Sequence, residues 1–207
     1  MFWLLFIYLV LAYFIPELGV VAIICMIGPV AMSVRKGRYW CGHFCPRGSL
    51  YDKVVSRFSL CRPIPRFVRT QLFRVFMLCF IFAMFGWQLY TYGFTWAGVG
   101  RVFWNIILVT TLVGIVIAIV YAPRTWCSFC PMGTLSSWCA PQIPKPGFSR
   151  VCVASACHMK CKRCARMCPM QLAPYESRGD EKGYLHPDCI KCATCIKVCP
   201  TKVMELK

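Results

Sequence analysis

The chain has 207 residues, of which 24 are Lys or Arg, 7 are Asp or Glu and 17 are Cys. Its 58% apolar content and mean hydropathy of +0.59 exceed those of a typical water-soluble domain. Residues 34–74 and 124–207 hold 23 of the 24 basic residues, and the apolar stretches 1–33 and 75–123 hold only Arg101. This segregation excludes a basic nucleic-acid-binding domain, a disordered chain and a coiled coil, and indicates an integral membrane protein.

Two apolar hairpins are expected to cross the membrane. Residues 2–33 are almost wholly apolar, and Pro16–Gly19 interrupts them halfway. One straight helix of that length would run well past a hydrocarbon core of about 30 Å, so we expect two short helices, with a single span as the alternative. Val75–Thr91 and Val102–Tyr121 are each long enough to span, and Gly93–Gly100 makes the turn between them.

These stretches predict an all-α membrane domain over residues 1–140 with four transmembrane helices in two hairpins, or three helices on the alternative count. The second hairpin returns the chain to the side from which it left, so both basic stretches face one compartment. Because Lys and Arg collect on the cytoplasmic side, we expect the cysteine loops and the C-terminal domain on the cytoplasmic face of the cell inner membrane.

The end of the chain is expected to be a small soluble domain. Residues 141–147 contain three prolines and predict a linker. Residues 148–207 are rich in Cys and Lys and poor in large apolar residues. A segment of about sixty residues rarely folds on a hydrophobic core alone, so we expect a ferredoxin-like α+β domain that its cysteines stabilise.

Two cysteine runs in this domain predict two [4Fe–4S] clusters. The run from Cys189 to Pro200 has the spacing C-x2-C-x2-C-x3-C-P of bacterial ferredoxins, and the run from Cys157 to Pro169 repeats it with one extra residue in its first gap. In this pattern the fourth cysteine of each run binds the other cluster. The predicted ligand sets are Cys157, Cys161, Cys164 and Cys199 for one cluster, and Cys189, Cys192, Cys195 and Cys168 for the other.

Zinc is the competing prediction for these cysteines, although four-cysteine zinc sites usually come as two separated C-x2-C pairs. Iron–sulfur ligands must be reduced thiolates, which suits the cytoplasm. Cys152 is a reserve ligand beside the first run. Basic residues around the ligands would offset cluster charge, receive an acidic partner or simply face water; they are Lys160, Lys162, Arg163, Lys191 and Lys197.

A second pair of cysteine motifs forms an internal repeat in the membrane domain. The segments that begin at Arg38 and Arg124 share R-x-W-C, F-C-P, G and S/T-L with one gap. Each follows an apolar span on the same side, so the repeated unit is a hairpin plus a cysteine loop. We expect Ser49 or Thr134 to cap the helix that follows each loop. The loops supply four candidate metal ligands: Cys41, Cys45, Cys127 and Cys130.

The loop cysteines leave the nature of their site open. A third iron–sulfur cluster, a redox-active thiol or disulfide pair, and a purely structural site or a site for another metal all fit the pattern. His43, in the first loop alone, is a candidate ligand or proton acceptor, although a lone surface histidine is more often neither. Cys25 and Cys79 lie in apolar spans and are expected to pack there, whereas Cys61 and Cys139 receive no assignment.

The paired cysteine–proline loops after membrane hairpins, followed by a two-cluster tail, resemble the membrane polyferredoxins of the NapH and NosR type. The resemblance covers essentially the whole chain. It implies four spans, cytoplasmic clusters, and electron transfer between the quinone pool or a soluble donor and a partner oxidoreductase. One departure is that the second loop here is C-x2-C rather than C-x3-C.

We therefore predict an iron–sulfur electron-transfer subunit anchored in the membrane, rather than a complete enzyme, with oxidoreductase subunits and a quinone as partners. The spans contain no histidine, which excludes a bis-histidine haem within them, and no nucleotide motif occurs. Three polar residues of the last span, Asn105, Thr110 and Thr111, serve helix packing or line a quinone pocket. The alternative function is a redox or metal-handling assembly or regulatory factor for a respiratory enzyme, and a zinc-stabilised membrane scaffold is a third.

Overall fold

The computed structural model describes residues 1–140, 150–158, 160–180 and 182–206, so the predicted linker 141–147 lies outside the described residues. Helices form most of the described chain. The α-helices are α1 (Phe2–Phe14), α2 (Ala22–Lys36), α3 (Tyr39–His43), α4 (Pro46–Lys53), α5 (Gln71–Tyr92), α6 (Trp96–Val120), α7 (Pro131–Cys139), α8 (Arg163–Arg166) and α9 (Thr194–Lys197). Short 3₁₀ turns are Pro16–Val21, Val55–Arg57, Arg66–Arg69, Trp126–Ser128 and Pro174–Ser177, and the strands are β1 (Val151–Val153) and β2 (Met204–Leu206).

Three helical segments of the described chain are long and apolar enough to cross a membrane: Pro16–Lys36, Gln71–Tyr92 and Trp96–Val120, with 21, 22 and 25 residues. Their outer faces carry exposed apolar side chains, for example Phe76 and Trp87 on α5, as a lipid-facing surface requires. Helix α1 is apolar but has 13 residues, about 20 Å at the rise of an α-helix. Four spans therefore stay a prediction.

The break at Pro16 is confirmed, and the 3₁₀ turn Pro16–Val21 packs tightly against the start of α6. An added Cβ at Gly100 would fall inside the normal contact distance of the Pro16 carbonyl oxygen, and one at Gly19 would meet the Gly100 backbone. Tyr8 donates a hydrogen bond to the Gly19 carbonyl over 3.1 Å. The two glycines allow this close backbone approach, which brings α1 and α2 against α6.

The turn between α5 and α6 is shorter than expected, because α6 begins at Trp96 rather than at Val102. Thr95 caps α6, with its hydroxyl oxygen accepting from the Gly98 amide over 3.1 Å. The expected caps at Ser49 and Thr134 are wrong. Helices α4 and α7 begin at Pro46 and Pro131, because proline at the first helical position is preorganised for helix and has no amide hydrogen to satisfy.

The C-terminal domain contains one two-stranded antiparallel sheet in its described part. In that sheet Cys152 of β1 lies opposite Glu205 of β2. Each of the short helices α8 and α9 lies within one of the two cysteine runs, and the two helices contact each other. With so little regular structure, a domain of this size gains limited stability from its hydrophobic core alone.

Candidate metal centres

Each of two cavities in the C-terminal domain is lined by four cysteines, three from one run and one from the other. The cavity that we call the Cys189 cavity is partly open to solvent, and its thiols belong to Cys168, Cys189, Cys192 and Cys195. The Cys157 cavity is also partly open, and its thiols belong to Cys157, Cys161, Cys164 and Cys199. The chain therefore brings together the two crossed sets that the spacing predicts, and each set has the four thiols that a [4Fe–4S] cluster requires.

Left-handed backbone turns wrap each run around its cavity. Lys162, Lys191 and Ala193 have φ values of 48°, 56° and 57°. Such conformations are uncommon for residues with a Cβ and are typical of functional loops. Pro169 and Pro200 follow the fourth cysteines and lie three residues beyond the ends of α8 and α9.

Individual thiols around the two cavities differ in acidity. Burial and the neighbouring Cys189 raise the pKa of the Cys195 thiol to about 12. Burial alone would raise the pKa of the Cys199 thiol, but hydrogen bonds from Thr201 and nearby backbone amides lower it.

Among the described residues, no three His, Cys, Asp or Glu side chains converge tightly enough to surround a single metal ion.

Burial separates the basic residues around the two cavities. Lys191 is 2% exposed and lines the Cys189 cavity, where burial lowers the pKa of its ammonium. Lys162 and Arg163 are exposed on the wall of the Cys157 cavity, next to the exposed thiol of Cys161. Lys160 and Lys197 are exposed as well. Buried charge thus lies at one cavity and solvent-facing charge at the other.

In the membrane domain, the two cysteine loops are joined by a reciprocal exchange of arginines. Arg38, which precedes the first loop, donates to the carbonyl oxygen of Cys127 in the second loop. Arg124, which precedes the second loop, donates to the carbonyl oxygen of Cys41 in the first loop over 2.7 Å. Both arginines are 1% exposed. The arginines of the internal repeat therefore make equivalent contacts, each crossing to the loop of the opposite copy.

Two equivalent glycines make room for this exchange. An added Cβ at Gly48 would lie under 3.0 Å from Nη1 of Arg124, and one at Gly133 would lie under 3.0 Å from Nη2 of Arg38. The shared glycine of the repeat thus has a packing reason. A side chain at either position would displace a buried guanidinium group from its carbonyl acceptor.

The loop thiols, Cys41, Cys45, Cys127 and Cys130, lie close enough to affect one another. Burial raises the pKa of the Cys41 thiol to about 11; Arg38 opposes this shift and the other three thiols add to it. Nη2 of Arg47 lies 3.5 Å from Sγ of Cys130, and Nη1 of Arg124 lies 3.8 Å from Sγ of Cys127. The two loops therefore present four neighbouring thiols with guanidinium groups beside them.

The C-terminal domain contacts the first cysteine loop through the Cys189 run. An added Cβ at Gly42, between Cys41 and Cys45, would meet the carbonyl oxygen of Ile190 at under 3.0 Å. Asp188 accepts from Arg38 over 3.0 Å and from Arg74 of α5 over 2.6 Å. Although burial raises it, these two guanidinium groups hold the pKa of the Asp188 carboxyl below its usual range. The Cys189 cavity is thereby held beside the loops.

A second set of contacts anchors the same end of the domain. Arg69 donates to the carbonyl oxygen of Met170 over 2.7 Å. The side chain of Gln171 accepts from the Ile64 amide over 2.9 Å and donates to the Arg62 carbonyl over 3.2 Å. Residues 170 and 171 directly follow the Cys168-Pro169 end of the first run, which belongs to the Cys189 cavity.

Several other expectations have a definite outcome. Cys25 and Cys79 lie on α2 and α5 but are exposed, so the expectation that they are packing residues is not met within the described chain. Cys152 is half-buried in β1 and, in the described part of the chain, lines neither cavity. His43 is exposed and stacks on Tyr39 at 3.9 Å between ring centroids. Thr110 accepts from Arg47 over 2.9 Å, whereas Asn105 donates to Tyr92 over 3.3 Å.

The positions of Arg38, Arg124 and Asp188 in the sequence did not predict their contacts at the loops. The arginines had a usable signal, since each opens its copy of the repeat and no other basic residue is shared between the copies. Asp188 is one of only seven acidic residues in the chain and directly precedes Cys189. Neither feature by itself shows that a guanidinium group crosses to the opposite loop.

Comparison with protein families agrees with this geometry. A model described as a 4Fe-4S binding domain matches residues 18–64 and 96–145, which include both cysteine loops. A model described as a 4Fe-4S dicluster domain matches residues 156–203, which include both runs of the C-terminal domain. Curated proteins and solved structures yield no significant match. The chain therefore carries 4Fe–4S binding domains in its membrane part and in its C-terminal part, which is consistent with a polyferredoxin.

Proposed function

We propose that this protein is a membrane-anchored iron–sulfur relay with two [4Fe–4S] clusters in its C-terminal domain and a third centre at the loop thiols. The crossed grouping of eight cysteines in two cavities carries the proposal. A bound [4Fe–4S] cluster supplies one-electron transfer. The cysteines would hold the clusters, and Asp188 with Arg38 and Arg74 would keep the C-terminal domain docked on the loops.

The order of the sites supports a direction along the molecule. The cysteine loops lie next to the membrane helices, and Ile190 of the Cys189 cavity contacts Gly42 of the first loop. The Cys157 cavity carries the exposed thiol of Cys161. We infer that electrons pass between a membrane redox carrier such as a quinone and a partner oxidoreductase, by way of the loops and then the two cavities. The basic residues beside the loops favour the cytoplasmic side of the inner membrane for all three sites.

Iron content tests the crossed ligation in the full chain. With about four irons per cluster, the double variant Cys164→Ser/Cys199→Ser should lose about four irons, because both residues line the Cys157 cavity. The variant Cys195→Ser/Cys199→Ser should lose about eight irons, because its residues line different cavities. The matched control is Cys61→Ser/Cys139→Ser, which removes two exposed thiols and should lose none. The reverse pattern of losses would show uncrossed ligation.

The relay itself is tested with anaerobically purified protein in liposomes. A menaquinol analogue should reduce the clusters, as seen by optical bleaching or paramagnetic resonance. Cys41→Ser/Cys127→Ser should slow this reduction and leave the clusters of the C-terminal domain reducible by dithionite. If neither quinols nor soluble carriers exchange electrons with the clusters, the relay proposal fails and an assembly or regulatory role replaces it.

A further inference from the structure

The guanidinium groups near the cysteine loops outnumber the carboxylates that form ion pairs with these guanidinium groups. Arg124 pairs with Asp52, with Nε to Oδ1 at 2.8 Å. Arg38 and Arg74 share the single carboxylate of Asp188. Arg47 has no ion pair in the described part of the chain; its guanidinium group contacts Thr110 and the Cys130 sulfur instead. In this set of four arginines and two aspartates, two positive charges lack a carboxylate.

Neutral loop groups would not balance this charge. Arg38 and Arg124 are each 1% exposed, and unbalanced buried charge is costly. Protonated thiols or a disulfide at the four loop cysteines would add no negative charge beside these guanidinium groups.

A metal centre with four thiolates does balance the charge. A [4Fe–4S] cluster with four thiolate ligands carries about −2 when oxidised and gains one negative charge on reduction. Nearby positive charge stabilises the reduced form more than the oxidised form, because the interaction grows with the charge of the centre. Arg38 and Arg124 can stabilise the reduced form in this way, because each is 1% exposed and donates to a carbonyl oxygen of a cysteine loop.

On the basis of the proposed third centre, we propose that Arg38 and Arg124 are positioning residues that clamp the two loops around one dianionic centre and raise its reduction potential. Each guanidinium group joins a carbonyl of the opposite loop to a carboxylate outside the loops, Asp188 for Arg38 and Asp52 for Arg124. The clamp is therefore reciprocal. The positive charge of its two arginines is partly offset by the carboxylates of Asp188 and Asp52, and each carboxylate can be substituted separately.

Opposite charge changes in one ion pair provide the test. Full-length protein in detergent is titrated anaerobically, and the midpoint potential of the loop centre is followed by paramagnetic resonance, with the Cys41→Ser/Cys127→Ser spectrum identifying its signal. Arg124→Gln should lower the potential. Asp52→Asn should raise it by a smaller amount, because the Asp52 side chain is 37% exposed and water screens it. Arg124→Lys keeps the charge, so the potential should stay near the wild-type value while iron at the loops is bound more loosely.

The signs of the two shifts in midpoint potential distinguish an electrostatic role of Arg124 from a purely structural one. A purely structural role predicts that Arg124→Gln and Asp52→Asn, which break the same ion pair, change the potential in the same direction or not at all, and either result overturns the proposal. If Arg124→Gln does not fold, Asp52→Asn alone must still raise the potential. If wild-type protein holds no more iron than Cys41→Ser/Cys127→Ser, the third centre itself is absent, and this inference falls with that part of the proposed function.

Discussion

The substitution Gly42→Ala should weaken the contact between Gly42 and Ile190 without replacing any proposed cluster ligand. In Gly42→Ala the new Cβ would lie under 3.0 Å from the Ile190 carbonyl oxygen and 3.3 Å from its carbonyl carbon. These are backbone atoms, so no side-chain rotation relieves the clash, and the loop and the Cys189 run must move apart. Overpacking of this kind costs about 1–3 kcal/mol. The equilibrium between docked and undocked C-terminal domain should therefore shift by about 5- to 150-fold.

Hydrogen exchange measures this shift, because amides that are protected only in the docked state exchange in proportion to its opening. Peptides that cover residues 186–192 should exchange about 5- to 150-fold faster in Gly42→Ala than in wild-type protein. The matched control is Gly86→Ala, where an added Cβ would meet nothing within 4 Å. Reduction of the C-terminal clusters through the loops should slow in Gly42→Ala alone. Unchanged exchange and unchanged reduction would refute a relay that depends on this contact.

Three further predictions concern docking, thiol acidity and topology. Arg69→Ala removes a charged hydrogen bond to the Met170 carbonyl oxygen from a half-exposed position. It should weaken docking of the C-terminal domain by about 1 kcal/mol, measured as faster hydrogen exchange around residue 170. Hydrogen exchange at the wild-type rate would show that Arg69 does not contribute to docking. In iron-free protein at pH 8, alkylation followed by mass spectrometry should modify Cys199 faster than Cys41, because the pKa of Cys199 is lowered and that of Cys41 is raised to about 11; equal rates would contradict this. With the native cysteines blocked, Phe94→Cys in the 82% exposed turn position should react with an impermeant reagent from outside the cell, and labelling only after lysis would overturn the proposed orientation.

Spacing was enough to predict which four cysteines line each cavity of the C-terminal domain. A chain that wraps a compact cofactor must return its ligands within a few residues, so local sequence fixes most of the geometry. The exchange of the fourth cysteine is not local, yet it could be predicted because Cys168 and Cys199 occupy equivalent places before Pro169 and Pro200. Hydropathy likewise identified α5 and α6, whereas capping by Thr95 moved the start of α6 to Trp96.

The sequence by itself determined the apolar spans, the charge segregation, the repeat and the ligand spacing, since each depends on residues that are near one another in the chain. Tertiary structure alone decided which groups surround the loop thiols. Arg38 meets Cys127 and Asp188, which lie 89 and 150 residues away, and nothing in the local pattern distinguishes this arginine from one that faces water. Because charges act through space and the fold sets their distances, only the packed chain shows that the repeated arginines cross between the loops.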